Sequence, residues 1–94
     1  MSNDNGAVAT PEAPFSFEVT DVTGTNSFVA SDVARKIPAG AVASALADRM
    51  SLPTNVPWTL RDETSSAFLD DTLPIGDQIA DQARVTITPK AHLG

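Results

Sequence analysis

The sequence predicts an α+β fold, a mixed sheet of four to five strands with one helix packed on one face. Two segments with alternating polar and apolar residues, 15–20 and 83–88, lie on either side of an alanine-rich amphipathic segment, 41–50. Alternation with a period of two is typical of half-buried strands, and apolar residues spaced by three or four are typical of a helix. Because an isolated helix of this length is not stable, we expect it to pack on the sheet.

The first two strands are expected to form a hairpin. Three apolar residues alternate with polar ones over 15–21, and the Thr-Gly-Thr-Asn turn at 23–26 holds residues that accept positive φ. The second strand is expected within 27–37, where apolar residues fall on both faces. A β-bulge would reconcile the two faces.

The helix is predicted over 41–50, opening after the Pro-Ala-Gly segment. Val42, Leu46 and Met50 form an apolar stripe at i, i+4 and i+8, and the intervening alanines have high helix propensity. Two prolines within 53–57 prevent the helix from continuing.

Three further strands are predicted: 58–61, a short edge strand at 67–69, and 83–88, whose ladder pairing Pro89 ends because proline has no N–H. A helix crossover joins parallel strands, so the first and last strands are expected to be adjacent and parallel at the sheet centre. Three residues of the turn-rich segment before the last strand are expected in the core: Leu73, Ile75 and Ile79.

The chain has 94 residues, enough for one domain with a single core. The first thirteen residues show no periodicity and are predicted to be a flexible tail. The folded domain is predicted to cover 14–88, and 89–94 is predicted to be an extended C-terminal tail.

Charge and residue usage exclude several classes of function. Six Lys and Arg against twelve Asp and Glu leave a net charge of −6, which argues against nucleic-acid binding. No apolar stretch is long enough for a membrane span and no signal-peptide core follows Met1, so no membrane association and a cytoplasmic location are expected. With no cysteine and one histidine, we expect no enzyme activity, no bound metal and no bound cofactor.

The chain from 15 to 94 resembles ubiquitin-like proteins, which have the β-grasp fold. The most specific stretch is Phe-Leu-Asp-Asp-Thr-Leu-Pro-Ile-Gly-Asp-Gln-Ile at 68–79, similar to the family's leucine, acidic turn, threonine-leucine and buried aliphatic. Residues 85–94 match the length of ubiquitin's final strand and tail without a gap. The alanine-rich, lysine-poor composition suits the bacterial ubiquitin-like proteins, some of which belong to antiphage systems.

The resemblance implies a protein modifier that is a substrate and not a catalyst. An activating enzyme would use ATP to adenylate the C-terminal carboxylate and carry it as a thioester, and a conjugating enzyme would transfer it to target proteins. A deconjugating protease would reverse the attachment. The resemblance assigns the reacting carboxylate to Gly94, whose lack of a Cβ leaves the carbonyl unhindered. The residues assigned to tail recognition are Pro89, Lys90, Ala91, His92 and Leu93.

Lys90 matches an arginine of ubiquitin that the activating enzyme reads, although a solvated tail charge remains the alternative. The positions that match ubiquitin's hydrophobic recognition patch are polar here, and they define a partner surface that eukaryotic ubiquitin receptors should not bind. They are Thr59, Thr86 and Thr88.

Two other functions remain open. The protein could be a non-conjugated ubiquitin-like subunit, such as the small cytosolic component of a type VII secretion system. It could instead be a sulfur carrier that forms a C-terminal thiocarboxylate, although sulfur carriers end in two glycines and this chain ends in Leu93-Gly94.

Overall fold

The computed structural model describes residues 13–90. Within them lie four strands and one α-helix, in the order β1 (Phe15–Asp21), β2 (Ser27–Val33), α1 (Ala39–Arg49), β3 (Trp58–Asp62) and β4 (Arg84–Pro89). The sheet order is β2-β1-β4-β3, with β1 and β4 parallel at the centre and the outer pairs antiparallel. The buried face of α1 packs against the sheet. The predicted fold class and the central parallel pair are confirmed.

The first hairpin contains the expected β-bulge. Phe17 pairs with Ala30, but Phe15 pairs with Val33, so β2 holds one extra residue between these pairs. Asp32, within that extra stretch, has a left-handed backbone with φ 56°. The extra residue lets Ala30 and Val33 both contact the core, which resolves the conflict between the two faces of β2.

The helix begins two residues earlier than predicted, at Ala39 directly after Pro38. Gly40 lies inside the first turn, where its N–H donates to the Asp71 carbonyl at 2.9 Å. A Cβ at Gly40 would lie 2.9 Å from the Asp71 Cβ, closer than real Cβ atoms approach. The glycine therefore permits a close approach between the helix and a distant loop and does not mark the helix boundary.

The core lies between α1 and the sheet. The largest fully buried side chains include Leu60, Val85 and Ile87 from the sheet. Ile75 and Ile79 join them as predicted, from the segment around the 3₁₀ turn Ile75–Asp77.

The prediction that Leu73 lies in the core is wrong. Its side chain is 49% exposed. Leu73 contacts the rest of the domain through its backbone: its carbonyl accepts a hydrogen bond from the Ala39 N–H at 3.0 Å and one from the Gln78 side-chain amide at 3.2 Å. These two bonds fix Leu73 at the surface.

The short edge strand predicted at 67–69 does not form. A single bridge joins Arg61 to Phe68, so the described sheet has four strands. A tight turn follows β3, in which Ser66 has φ 62° and its N–H donates to the Asp62 carbonyl at 2.8 Å. The segment still makes two backbone hydrogen bonds to β3, from the Asp62 N–H to the Ala67 carbonyl and from the Leu69 N–H to the Leu60 carbonyl, but the next turn begins at Asp70 and the pairing stops at one bridge.

The prediction that Pro89 ends the ladder is also wrong. Pro89 pairs with Trp58, and the Lys90 N–H donates to the Pro57 carbonyl at 2.9 Å. Successive residues of a strand direct their N–H groups to opposite sides, so the nitrogen of Pro89 faces the β1 side. On that side the pairing with β1 has already ended at Asp21, opposite Ile87, so no residue of β1 is paired with Pro89. The sheet therefore continues past the predicted domain boundary at 88.

The remaining terminal predictions lie outside the described residues, in 1–12 and 91–94. Among the described residues, no helix has the length and apolarity that crossing a membrane requires.

Candidate conjugation arm and the adjoining sheet face

The C-terminal arm, residues 89–94, leaves the central strand β4 at one end of the sheet. Of its predicted recognition residues, Pro89 and Lys90 are described. They are attached to the start of β3 by the Trp58 pairing and by the Lys90 N–H bond to Pro57. The other four arm residues lie outside the described part of the chain, so their roles stay predictions: Ala91, His92, Leu93 and Gly94.

The Lys90 side chain has an intramolecular partner. Its ammonium forms an ion pair with Oδ2 of Asp71, and the two side chains are 42% and 26% exposed. The other oxygen of Asp71, Oδ1, accepts a hydrogen bond from the Thr59 hydroxyl at 2.9 Å. The Lys90 ammonium is therefore already ion-paired within the chain before any partner protein binds.

Hydrogen bonds of the preceding residue, Asp70, stabilise the turn that contains Asp71. The neighbouring Asp70 carboxylate accepts the Thr72 N–H at 2.9 Å and the Thr72 hydroxyl at 2.7 Å. The hydroxyl first, and then the N–H, lower the pKa of Asp70 below its ordinary value. Gln78 donates to the Asp70 carbonyl at 2.9 Å and accepts its N–H at 2.7 Å. These bonds hold the loop so that the Asp71 carboxylate faces the arm.

The three predicted partner-surface threonines do come together. The β3–β4 register pairs Thr59 with Thr88, and the buried Leu60–Ile87 pair between them faces α1. Because side chains alternate between the two faces of a sheet, Thr59, Thr86 and Thr88 share the face opposite the helix.

These threonines offer little surface of their own. Thr59, Thr86 and Thr88 are only 2%, 8% and 8% exposed. Acidic side chains engage two of their hydroxyls: Thr59 donates to Asp71, and Thr86 donates to Glu63 Oε2 at 2.8 Å. A partner on this face would therefore touch mainly the surrounding side chains, and the role of the threonines stays a prediction.

Arg61 belongs to this face and was not predicted as a site residue. It pairs with Thr86 across the sheet and is half-buried. Its guanidinium makes no hydrogen bond or ion pair with another described residue. Arg61 also lines a polar groove of about 500 Å³ with Asp21 and Ser66. The sequence did contain a signal for Arg61. It is two residues after Thr59, so the alternation of side chains along a strand places both on the same face.

A second, more apolar groove of about 590 Å³ lies between β2 and α1. Its lining includes Phe28, Val29 and Ile37, with Arg49 as its cation. β2 is the outer strand of the described sheet, so one side of its backbone has no strand partner there.

Within residues 13–90, no three histidine or carboxylate side chains come together in a group that could hold a metal ion.

No protein-family model matches the chain, and no curated protein matches it by sequence. Solved structures do match. A structure described as "Molecular Mimicry of SUMO promotes DNA repair" has a TM-score of 0.67 at 9% identity, covering 81% of this chain and 91% of that one.

Two further structures match over most of their length. The ubiquitin of Caldiarchaeum subterraneum has a TM-score of 0.64 at 18% identity, covering 79% of this chain and 90% of that one. The solution structure of the ubiquitin-like domain of Arabidopsis thaliana protein At2g32350 has a TM-score of 0.64 at 13% identity, covering 93% and 87%.

The chain therefore has the β-grasp fold of ubiquitin-like proteins, and the resemblance predicted from the sequence is confirmed at the level of the fold. At 9–18% identity, the similarity to these structures shows the fold and no more than the fold. The bacterial assignment stays a prediction.

Proposed function

We propose that this protein is a ubiquitin-like modifier that is attached to target proteins through the carboxylate of Gly94. The observation that supports the proposal best is the course of β4, the central strand, which carries the chain out of the sheet at Lys90. The fold shared with an archaeal ubiquitin supports it further. The composition suits a bacterial source, and the resemblance to bacterial ubiquitin-like proteins, some of them in antiphage systems, extends the proposal to conjugation in antiphage defence.

The proposed chemistry uses groups of the partner enzymes. In the activating enzyme the Gly94 carboxylate attacks the α-phosphorus of ATP and releases pyrophosphate, which leaves an acyl-adenylate. A thiolate of that enzyme attacks the acyl carbon and releases AMP. The thioester passes to a thiolate of the conjugating enzyme, and a target amine then displaces that thiolate to form an amide. Gly94 suits this path because no side chain hinders attack on its carbonyl.

The test is adduct formation with an activating enzyme for ubiquitin-like proteins from the source organism. The protein, that enzyme and ATP are incubated and examined on non-reducing gels and by mass spectrometry. A thiol-sensitive adduct is expected for the chain ending at Gly94 and for Val29→Ser, a control on the exposed edge of β2. Deletion of Gly94 should abolish the adduct.

The other outcomes point to different functions. If no adduct forms with the intact chain, conjugation is overturned. If the product instead gains the mass of sulfur for oxygen at its carboxyl group, the protein is a sulfur carrier.

A non-conjugated binding subunit is the second candidate, and the apolar groove between β2 and α1 favours it. The SUMO mimic among the matching structures has the same fold. Under this alternative, deletion of Gly94 leaves the protein's function in its host unchanged.

A further inference from the structure

We propose that Asp71 is a positioning residue that holds the base of the C-terminal arm against the sheet through the ammonium group of Lys90. The two residues are 19 positions apart in the chain and form an ion pair, in which Asp71 Oδ2 faces the Lys90 Nζ. Nothing in the predicted role of Lys90, as an enzyme contact or a solvated charge, accounts for this partner.

The Asp71 carboxylate is oriented independently of Lys90. Its Oδ1 accepts the Thr59 hydroxyl at 2.9 Å, and its backbone carbonyl accepts the Gly40 N–H at 2.9 Å. The close approach of Gly40 to Asp71 fixes the backbone from the helix side. Forming the ion pair therefore restricts mainly the Lys90 side chain, which lowers the entropy cost relative to a pair of two free side chains.

Lys90 is attached at a second point. Its N–H donates to the Pro57 carbonyl at 2.9 Å, and the preceding Pro89 has a restricted φ. The backbone bond alone would leave the end of a strand free to fray. With the ion pair added, Lys90 is held by its backbone to Pro57 and by its side chain to Asp71.

This arrangement affects activation, a consequence that rests on the proposed function. An activating enzyme that reads Lys90 with its own acidic group must first displace Asp71 from the same ammonium. Asp71 therefore weakens docking of the arm without touching the reacting carboxylate. Removing its charge should lower the KM for activation and leave kcat unchanged.

The first experiment needs no enzyme. Amide hydrogen exchange is followed by NMR in the full chain, in Asp71→Asn and in Asp77→Asn. Asparagine at 71 keeps an oxygen for the Thr59 hydroxyl and removes only the charge. Asp77 is an exposed residue in the next turn of the same segment, and its carboxylate makes no hydrogen bond or ion pair with another described residue.

In Asp71→Asn the Lys90 amide should exchange faster, by up to about fivefold, because losing a partly exposed ion pair changes the opening equilibrium by no more than that factor. The Ile87 amide, in the interior of β4, should be unchanged, and Asp77→Asn should behave as the parent. Faster Lys90 exchange in the parent at high salt would agree, because salt screens such a pair. Equal Lys90 exchange in the parent and in Asp71→Asn would overturn the proposal.

The second experiment measures activation kinetics. Asp71→Asn should lower KM by up to about fivefold at constant kcat. The double variant Asp71→Lys with Lys90→Asp reverses the pair, and it should restore slow exchange of residue 90. Its KM should rise above that of the parent, because the enzyme no longer meets a cation. A raised KM in Asp71→Asn would overturn the competition.

The two experiments separate the two proposals. If the parent chain forms no adduct at all, the proposed function fails, and the exchange data still decide whether Asp71 holds the arm.

Discussion

At the scale of single residues, Asp21 shows how a carboxylate organises the first hairpin. It ends β1, and its Oδ1 accepts the Thr23 hydroxyl at 2.7 Å while its Oδ2 accepts the Asn26 side-chain amide at 2.8 Å. The Thr23 hydroxyl, followed by Asn26, lowers the pKa of Asp21 to about 2 against an ordinary 3.8. The charged carboxylate therefore stabilises the turn.

This pKa predicts a pH-dependent contribution to stability. Because the folded-state pKa is below the unfolded-state value, the contribution is fully present above about pH 5 and is lost as the pH falls from about 4 towards 2. Asp21→Asn should be less stable than the parent at neutral pH, and the difference should shrink below pH 4. Urea-unfolding midpoints of both proteins at a series of pH values test this. A difference that stays the same at pH 3 would contradict it.

The candidate site could be read from the sequence only in part at this scale. The resemblance to ubiquitin assigned Lys90 and the three threonines to the site, because they match its tail arginine and its recognition patch. Asp71 could not be assigned to Lys90, since their contact depends on how a loop docks beneath the helix. The local pattern around Asp71 indicates only a turn.

At the scale of elements, the bulge in β2 sets the register of the edge strand. Asp32 lies in the left-handed region at φ 56°, which β-branched residues strongly disfavour. Through the extra residue, Val33 comes opposite Phe15.

Substitutions at Asp32 should separate backbone strain from side-chain contacts. Asp32→Gly should change the free energy of unfolding by less than about 0.5 kcal/mol, because glycine adopts this conformation freely. Asp32→Val should cost about 1–2 kcal/mol. Urea denaturation of the two variants measures both effects. Equal stability of the two would show that residue 32 is not left-handed in solution.

Elements with regular patterns were predicted well, and those fixed by distant contacts were not. The strand predicted at 15–21 matches β1 at both ends, since its alternation is unbroken. The helix start was placed two residues late because Gly40 reads locally as a helix breaker, while Asp71 accepts its N–H. The end of β4 was placed early because the side to which Pro89 directs its nitrogen depends on where β1 ends.

At the scale of the whole molecule, a single core supports all of the elements. Leu60 is fully buried between the sheet and α1, whereas Leu73, which the sequence predicted in the core, is 49% exposed. A domain of this size has a stability of only about 5–15 kcal/mol, so one core residue is a large share.

Two matched leucine substitutions test this arrangement. Leu60→Ala should lower the free energy of unfolding by about 2–5 kcal/mol through lost burial and a residual cavity. Leu73→Ala should cost less than about 1 kcal/mol. Both are measured by urea denaturation at neutral pH, and equal losses would contradict the placement of Leu73 at the surface.

The parallel pairing of β1 and β4 has a mechanical consequence. The two strands point the same way, so the start of β1 and the end of β4 lie at opposite ends of the pair. A force that pulls the two chain termini apart would act along both strands. It would load all the hydrogen bonds between β1 and β4 in shear at the same time. The molecule should therefore resist such stretching more than a hairpin, whose bonds open in sequence.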